Sequence, residues 1–358
     1  MTLMGMKRTT QRDIAAKVGV GRSTVTLALQ DHPRIAPETR RRIQEVAREL
    51  GYSPDPFLAG LASYRNRQRT AAFHGTIAWL VNFEDGPYPW KKYPHYLLYF
   101  QGASRRALHH GYQLEEIHLN EKGLSPARMA GILHARNITG VLLCPQPKAE
   151  MEVDFAWHEF SAVTFGYSLL KPSFHTVAAA HFLNTRNAMQ ALIRRGYRRI
   201  GMVIDEDINR RCGHNVQAGY LIEQTLLGGK KGAGQIPVEP LFDYDSRRGP
   251  NATDSRNLVR YIERQQLDAI LTSDYRILEN LTAAGISAPD DIGVAGISLP
   301  VGEGPLSGVV EDSEQVGALA VDLLVGMMQH RERGVPPAPT RTHLEGIWHE
   351  GRTLRPAP

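Results

Sequence analysis

Arg22, Ser23 and Thr26 stand close together in one short stretch, and all three hydrogen-bond through short or forked polar side chains. Carried outward on a helix, such groups reach the base edges and phosphates of a duplex. On an isolated helix the same residues are more often just a solvated face, so their surroundings must decide. Hydrolytic chemistry has no counterpart here: the chain has no Gly-x-Ser-x-Gly elbow, His-Glu-x-x-His pair or Cys-x-x-Cys. The glycine-rich Gly228–Gly234 run lacks Gly-Lys-Ser/Thr and follows a helix rather than a strand, which makes it a surface loop. His109-His110 reads as a helix end. Neither an enzyme, a cofactor nor a metal site is expected.

The surroundings of Arg22 form a three-helix pattern. Thr10-Gln11-Arg12-Asp13 is a capping box, with an acid at N3 near the positive helix end. Ile14, Ala15 and Val18 supply an apolar stripe, and Gly19 ends the helix. After a tight turn at Val20-Gly21, a second helix runs from about Arg22 to Gln30 and buries Val25 and Leu29. Asp31-His32-Pro33 breaks it. A third helix opens with Pro37 at N1 and runs to Leu50, turning Ile43, Val46, Ala47 and Leu50 inward. Two short helices on a glycine turn with a bracing third make a helix-turn-helix. Charge points the same way. Residues 1–69 hold 13 Lys+Arg against 6 Asp+Glu, a net of +7, whereas the remainder holds 29 against 31. The positive excess sits where phosphates would be neutralised.

TQRDIAAKVGVGRSTVTLALQ followed by IAPETRRRIQEVARELGYSPD resembles the lactose-repressor/galactose-repressor (LacI/GalR) family of transcription regulators. Asp13-Ile14-Ala15, Gly19-Val20, Thr24-Val25, Leu29, Thr39-Arg40, Ile43 and Leu50-Gly51-Tyr52 carry the match, with Pro54 beyond them. The sequence departs from the family pattern at Gly21, Thr26, Leu27 and Gln30. Leu27 stands where a base-reading Arg is common, so the operator sequence does not transfer. The resemblance implies that Arg22 and Ser23 read bases in the major groove. It also implies that Thr10, Thr24, Thr26 and Thr39 hold phosphates, which positions the protein without reading sequence.

Asp55 is an N-cap followed by Pro56 at N1, so a short helix begins there, weakened by Gly60. It is about two turns long, below the ~12–15 residues at which isolated helices become marginal in water. Read alone, Leu58 and Leu61 are packing residues. The resemblance makes this a hinge that folds on DNA, two copies side by side in the minor groove, with Leu61 as an unstacking wedge. Arg65, Arg67 and Arg69 follow, against phosphates or as linker solubilisers.

From about Thr76 the texture becomes apolar runs alternating with amphipathic stretches. Strands are expected at 76–81, 112–118, 140–144, 162–165, 200–204, 269–272 and 292–297. Helices are expected at 99–111, 126–135, 184–195, 218–226, 255–265, 275–284 and 313–330. Alternation at this spacing argues parallel sheets with helices on both faces, and ligand clefts at the strands' carboxyl ends. The Gly102…Gly111-Tyr112 step, Arg195–Gly201 and the run from Ala284 to Gly296 resemble the family's effector half. The fold class is therefore α/β: a three-helix helix-turn-helix domain plus a periplasmic-binding-protein-like domain of two doubly wound parallel-sheet subdomains. Expected boundaries are 1–52 for the DNA reader, 53–69 for hinge and linker, and 70–358 for effector binding and dimerisation. Crossovers between subdomains are expected near 180, 299 and 333.

For the effector, Asp274 of Ser273-Asp274 is the leading residue, since it stands where sugar-binding members open a helix with Asn-Asp. Val216 replaces the arginine usual before a Gly-aromatic pair, here Gly219-Tyr220, and Gly296–Leu299 lacks the usual acids. Asn82, Phe83, Trp90, Arg210 and Arg211 are the remaining candidates, each with core or surface as its competing role. The two cysteines, Cys144 and Cys212, are read as small buried hydrophobes in a reducing cytoplasm. No leader or membrane-spanning run is evident in the sequence. The expected protein is a homodimeric, cytoplasmic, nucleoid-associated regulator, read as a repressor. It binds a pseudo-palindromic double-stranded operator and is controlled by a small molecule such as a sugar or related metabolite. A solute-binding protein and an enzyme on a doubly wound fold are the competing readings.

Overall fold

A computed structural model describes residues 9–29, 34–52, 73–83, 89–121, 124–228, 238–240, 252–274, 277–302 and 304–357. The chain divides into two compact units, 1–72 and 73–358. In the first, α1 (Gln11–Val18), α2 (Arg22–Leu29) and α3 (Pro37–Glu49) close on Ile14, Val18, Val25, Ala28, Ile43 and Ala47. The Asp13 carboxylate accepts from the Thr10 N–H at 2.7 Å, the reciprocal half of a capping box. Gly19 takes φ 76°, a left-handed cap open to glycine without strain, and its N–H returns to Ala15 C=O. Lys17 and Glu49 pair at 3.0 Å between α1 and α3.

The second unit holds two six-stranded sheets. The first is ordered β13-β7-β5-β3-β1-β2, with β1 (Gly75–Val81), β2 (Tyr112–His118), β3 (Gly140–Leu143), β5 (Ser161–Phe165), β7 (His175–Ala179) and β13 (Arg341–Leu344). The second is ordered β14-β12-β11-β10-β8-β9, with β8 (Ile200–Ile204), β9 (Val238–Pro240), β10 (Ala269–Thr272), β11 (Gly293–Leu299), β12 (Ser307–Val310) and β14 (Ile347–His349). Among the described strands of both sheets only β14 runs antiparallel to its neighbour. A small β4 (Met151–Glu152) and β6 (Leu169–Lys171) ladder stands apart.

Helices cover both faces of each sheet, which is why the central strands are apolar throughout rather than alternating. On the first sheet, α4 (Pro94–His109) and α11 (Ser313–His330) pack over Ile77, Trp79 and Val163, and α5 (Pro126–Ala135) covers Leu80 and Val141. On the second, α6 (His181–Arg194) and α8 (Asn215–Gly228) cover one face, while α9 (Ala252–Gln265) and α10 (Ile277–Ala283) cover the other. A short α7 (Glu206–Arg211) follows β8.

The chain crosses between sheets at Ala180, at Glu311–Asp312 and at Glu345–Gly346. The later two crossings are displaced from the expected 299 and 333. After β11 the chain adds β12 to the second sheet before leaving, and after α11 it adds β13 to the first. The first and third crossings lie side by side: Ala180 N–H donates to Leu344 C=O at 2.7 Å, and Gly346 N–H to Asn184 Oδ1 at 2.9 Å. Helix 99–111 is also corrected: it begins at Pro94, a proline at N1, more than a turn earlier.

α4 and α11 meet backbone to backbone. A Cβ on Gly102 would be driven into the Glu314 backbone, and one on Gly317 into that of Tyr99. Gly102→Ala or Gly317→Ala should therefore destabilise the unit by about 3 kcal/mol or more. Gly131→Ala, with open space around it in α5, should be neutral or stabilise by roughly 0.5 kcal/mol. Urea titration of the three variants checks the contrast.

Candidate DNA interface and effector cleft

Arg22 and Ser23 are exposed at the start of α2, while Val25 and Ala28 face inward. The exposed face therefore exists because the opposite face is spent on the three-helix core. Thr24 and Thr39 are half-buried and Thr10 is exposed. The Thr26 hydroxyl lies 2.9 Å from Gln11 Oε1 and 3.0 Å from Arg22 C=O, so it ties α2 to α1. Leu58 and Leu61 lie outside the described residues.

In the second unit both sheets have a switch point, between β1 and β3 and between β8 and β10, where successive connections leave on opposite sides. Ligands bind beyond the carboxyl ends of strands at such points. Asn82 follows β1, buried, donating to Gln146 Oε1 at 2.8 Å and accepting from Asn120 at 3.0 Å. Phe83 is buried beside Tyr93. Asp274 follows β10, is buried, and its N–H reaches Thr272 Oγ1 at 2.9 Å. Val216, in the place of the expected arginine, packs into the core between α6, α8 and the sheet.

Trp90 is corrected: it is wholly buried, its ring tilted against Trp79 at 5.5 Å and its indole N–H donating to Glu116 at 2.8 Å. It is a core aromatic with its polar handle satisfied, not a stacking platform. The two thiols also differ. Cys144 is fully buried, and burial pushes its thiol well up, whereas Cys212 is half-buried against the core of the second sheet.

Arg210 and Arg211 reach across from the second subdomain to the first. Arg210 meets Glu150 at 2.8 Å on the exposed rim. The Arg211 guanidinium lies over Tyr93 and Tyr96, 4.7 and 5.4 Å from the ring centroids, and donates to the Tyr96 hydroxyl. Burial raises the Tyr96 phenol, more than Arg211 opposes it, so the ring stays neutral. Tyr93, Tyr96 and Tyr99 form a ladder at 4.9 and 6.2 Å.

The ladder leads to Glu311, a buried carboxylate at the second crossover. Tyr99 donates to it at 2.5 Å from the first subdomain and Ser298 at 2.7 Å from the second. Ser313 lies 3.3 Å away and His95 Nδ1 3.7 Å away. Burial alone would raise this carboxyl. His95 and His181, with the two hydroxyl bonds, instead hold it below its ordinary range. For His181, burial would lower the imidazole, yet Cys212 and Glu311 carry it up to about 9. Sequence reasoning missed Tyr93, His95, Tyr96, Tyr99, His181 and Glu311. Pro94 at N1 with tyrosines at helical spacing was the available signal for the first four.

These shifts have opposite pH consequences. Glu311, depressed, contributes stability above its ordinary 4.5 that is lost as pH falls through its lower folded value. His181, raised, contributes stability below its ordinary 6.5 that is lost as pH rises through about 9. Urea midpoints should therefore decline between about pH 6.5 and 9, and His181→Gln should flatten that limb. Parallel declines in wild type and variant would exclude His181 as the source.

Comparison with known proteins agrees with both halves. Residues 10–55 match the family model of bacterial regulatory proteins, lacI family, and residues 189–347 match that of a periplasmic binding protein-like domain. The chain is 24% identical to the transcriptional repressor CytR of Escherichia coli strain K12 over 345 residues, covering 91% of each protein. It is 25% identical to the transcriptional regulator CelR of Thermobifida fusca, covering 95% of this chain and 96% of the other. The fold resembles that of a CelR–cellobiose complex, at TM-score 0.58 and 23% identity over 97% of this chain and all of the other. It also resembles the lac repressor dimer bound to operator and an anti-inducer, at TM-score 0.55 and 15% identity over 98% of this chain and all of the other. Among the described residues no helix is long and apolar enough to cross a membrane. With a lacI-family helix-turn-helix, a periplasmic binding protein-like half and transcription regulators similar to it over nearly its whole length, the chain is a DNA-binding transcription regulator that resembles those of the LacI family.

Proposed function

We propose that this regulator is a repressor whose grip on a pseudo-palindromic operator is set by a small molecule held between the two sheets. The observation that carries the reading is the exposed Arg22–Ser23 face of α2, whose opposite face, Val25 and Ala28, is buried in the three-helix core. Arg22 and Ser23 read base edges, and Thr10, Thr24, Thr26 and Thr39 hold phosphates. Residues 1–52 form the reader and 53–69 the hinge, in which Leu58 and Leu61 pack and wedge in the minor groove. The break between compact units at 72 supports a joint there. Two copies pair through residues 70–358, so the operator has two half-sites.

The effector sits beyond the strand ends, bounded by Asn82, Phe83, Asp274, Arg210 and Arg211. Arg210 and Arg211 bridge the cleft, so closing or opening it changes contacts that a ligand can bias. A similarly folded regulator is described in complex with cellobiose, which supports a small-molecule occupant.

Arg22→Ala should weaken binding to an operator selected from random duplexes by roughly 5–150-fold, the loss of about 1–3 kcal/mol of base discrimination. Binding to unrelated duplex should change little. Fluorescence-anisotropy titration at fixed salt checks this; equal losses on both duplexes would reject base reading by Arg22.

A further inference from the structure

The hydrogen-bond account of Arg211 does not close. Its side chain is 9% exposed, yet the Nε–H is buried without an acceptor. Nη1 meets Asp207 at 3.3 Å, Nη2 the Tyr96 hydroxyl, and Tyr93 is a further hydrogen-bond partner, so that Nε alone is unmet. A buried donor left unsatisfied costs about 1–3 kcal/mol, and more when charged. Tyr96, Tyr93 and Asp207 offset burial and keep the guanidinium charged, but the one carboxylate among them, Asp207, is half exposed to water. At the far end of the ladder the situation is reversed. Glu311 already has donors on both oxygens, from Tyr99 and Ser313 on one and Ser298 on the other. The acidic end therefore asks for nothing, and the cationic end asks for an acceptor.

A second orphan lies nearby in the topology. Ser273 Oγ, just past β10, is buried without a partner. β10 pairs directly with β8, whose carboxyl end leads into α7 and Arg211. Both unmet groups thus stand at one switch point.

Resting on the reading of this cleft as the effector site, we infer that the effector carries an anionic oxygen group, carboxylate or phosphate, seated on Arg211 Nε, and a hydroxyl within reach of Ser273. A charged acceptor is favoured over a neutral one because charge-assisted bonds in a poorly solvated site are roughly twice as strong. Arg211 holds the two subdomains together through Tyr93 and Tyr96, so an anion on its Nε would also reach the contact that joins them.

The test is a thermal shift of the full chain with matched probes: gluconate and galacturonate for carboxylates, glucose 6-phosphate for phosphates, glucose and galactose as neutral partners. At least one anionic probe should raise Tm by roughly 4 °C or more at saturation, with the neutral sugars inactive. Which anionic arm responds identifies the group. Arg211→Gln should abolish the shift and Arg211→Lys, which keeps the charge but loses the fork, should reduce it. Arg128→Ala, on the exposed face of α5, should retain it, and ligand-free melting shows that each variant folds. Stabilisation by glucose or galactose that survives in Arg211→Gln overturns the anionic assignment while leaving the cleft as an effector site. Silence from all anionic probes overturns it too. Neither result bears on operator reading, which the Arg22 titration decides separately.

Discussion

A carboxylate buried where the chain passes from one sheet to the other holds the effector unit in its observed arrangement. Glu311 takes hydroxyl donors from α4 and from β11, one on each side of the cleft, with two imidazoles close enough to keep it charged. Removing a partner from such a buried group leaves an uncompensated charge, a cost of several kcal/mol. The relative position of the subdomains is therefore tied to a few polar bonds rather than to a broad apolar interface. That suits an element with two arrangements, since polar bonds are made or broken as units.

What places Tyr99 opposite Glu311 is the absence of two side chains. Gly102 and Gly317 let α4 and α11 approach until backbone meets backbone, and Tyr99 and Glu311 sit within a turn or two of that contact. The aromatic layer beneath, Trp79 against Trp90 and Phe165, fixes the helix pair on the sheet. Packing here serves geometry: it delivers a phenol and a carboxylate to one point from elements far apart in sequence.

Much of this was legible in the chain. The DNA-reading helices announce themselves through a capping box, glycine and proline punctuation and an apolar stripe, all local signals. Strands 112–118, 200–204 and 269–272 and helices 126–135 and 313–330 also fall at the residues expected, 200–204 and 269–272 because buried parallel strands are unbroken apolar runs. The strands that escaped are those whose reasons are tertiary. β12 contains Gly308, which reads as a breaker but stands where the backbone of Gly296 leaves no room for a Cβ. β13, Arg-Thr-His-Leu, is an exposed edge strand without an apolar pattern. The cleft was half legible. Asp274 follows from family position and Arg211 stood among the remaining candidates, whereas Glu311 and His181 matter only because the crossovers bring them together. Trp90 takes the core role that was its alternative, since an aromatic in such a loop looks alike whether it faces a ligand or a core.

On the proposed function, the polar contact at the second crossover and the DNA-reading helices share one free-energy balance. Glu311→Gln keeps the shape and removes the charge, so operator affinity of the full-length variant, compared with wild type at the same salt, measures the coupling directly. The expected change is roughly 5–150-fold, equivalent to about 1–3 kcal/mol, with the helical spectrum of the protein preserved. Equal affinities for the two proteins, both fully folded, would contradict it.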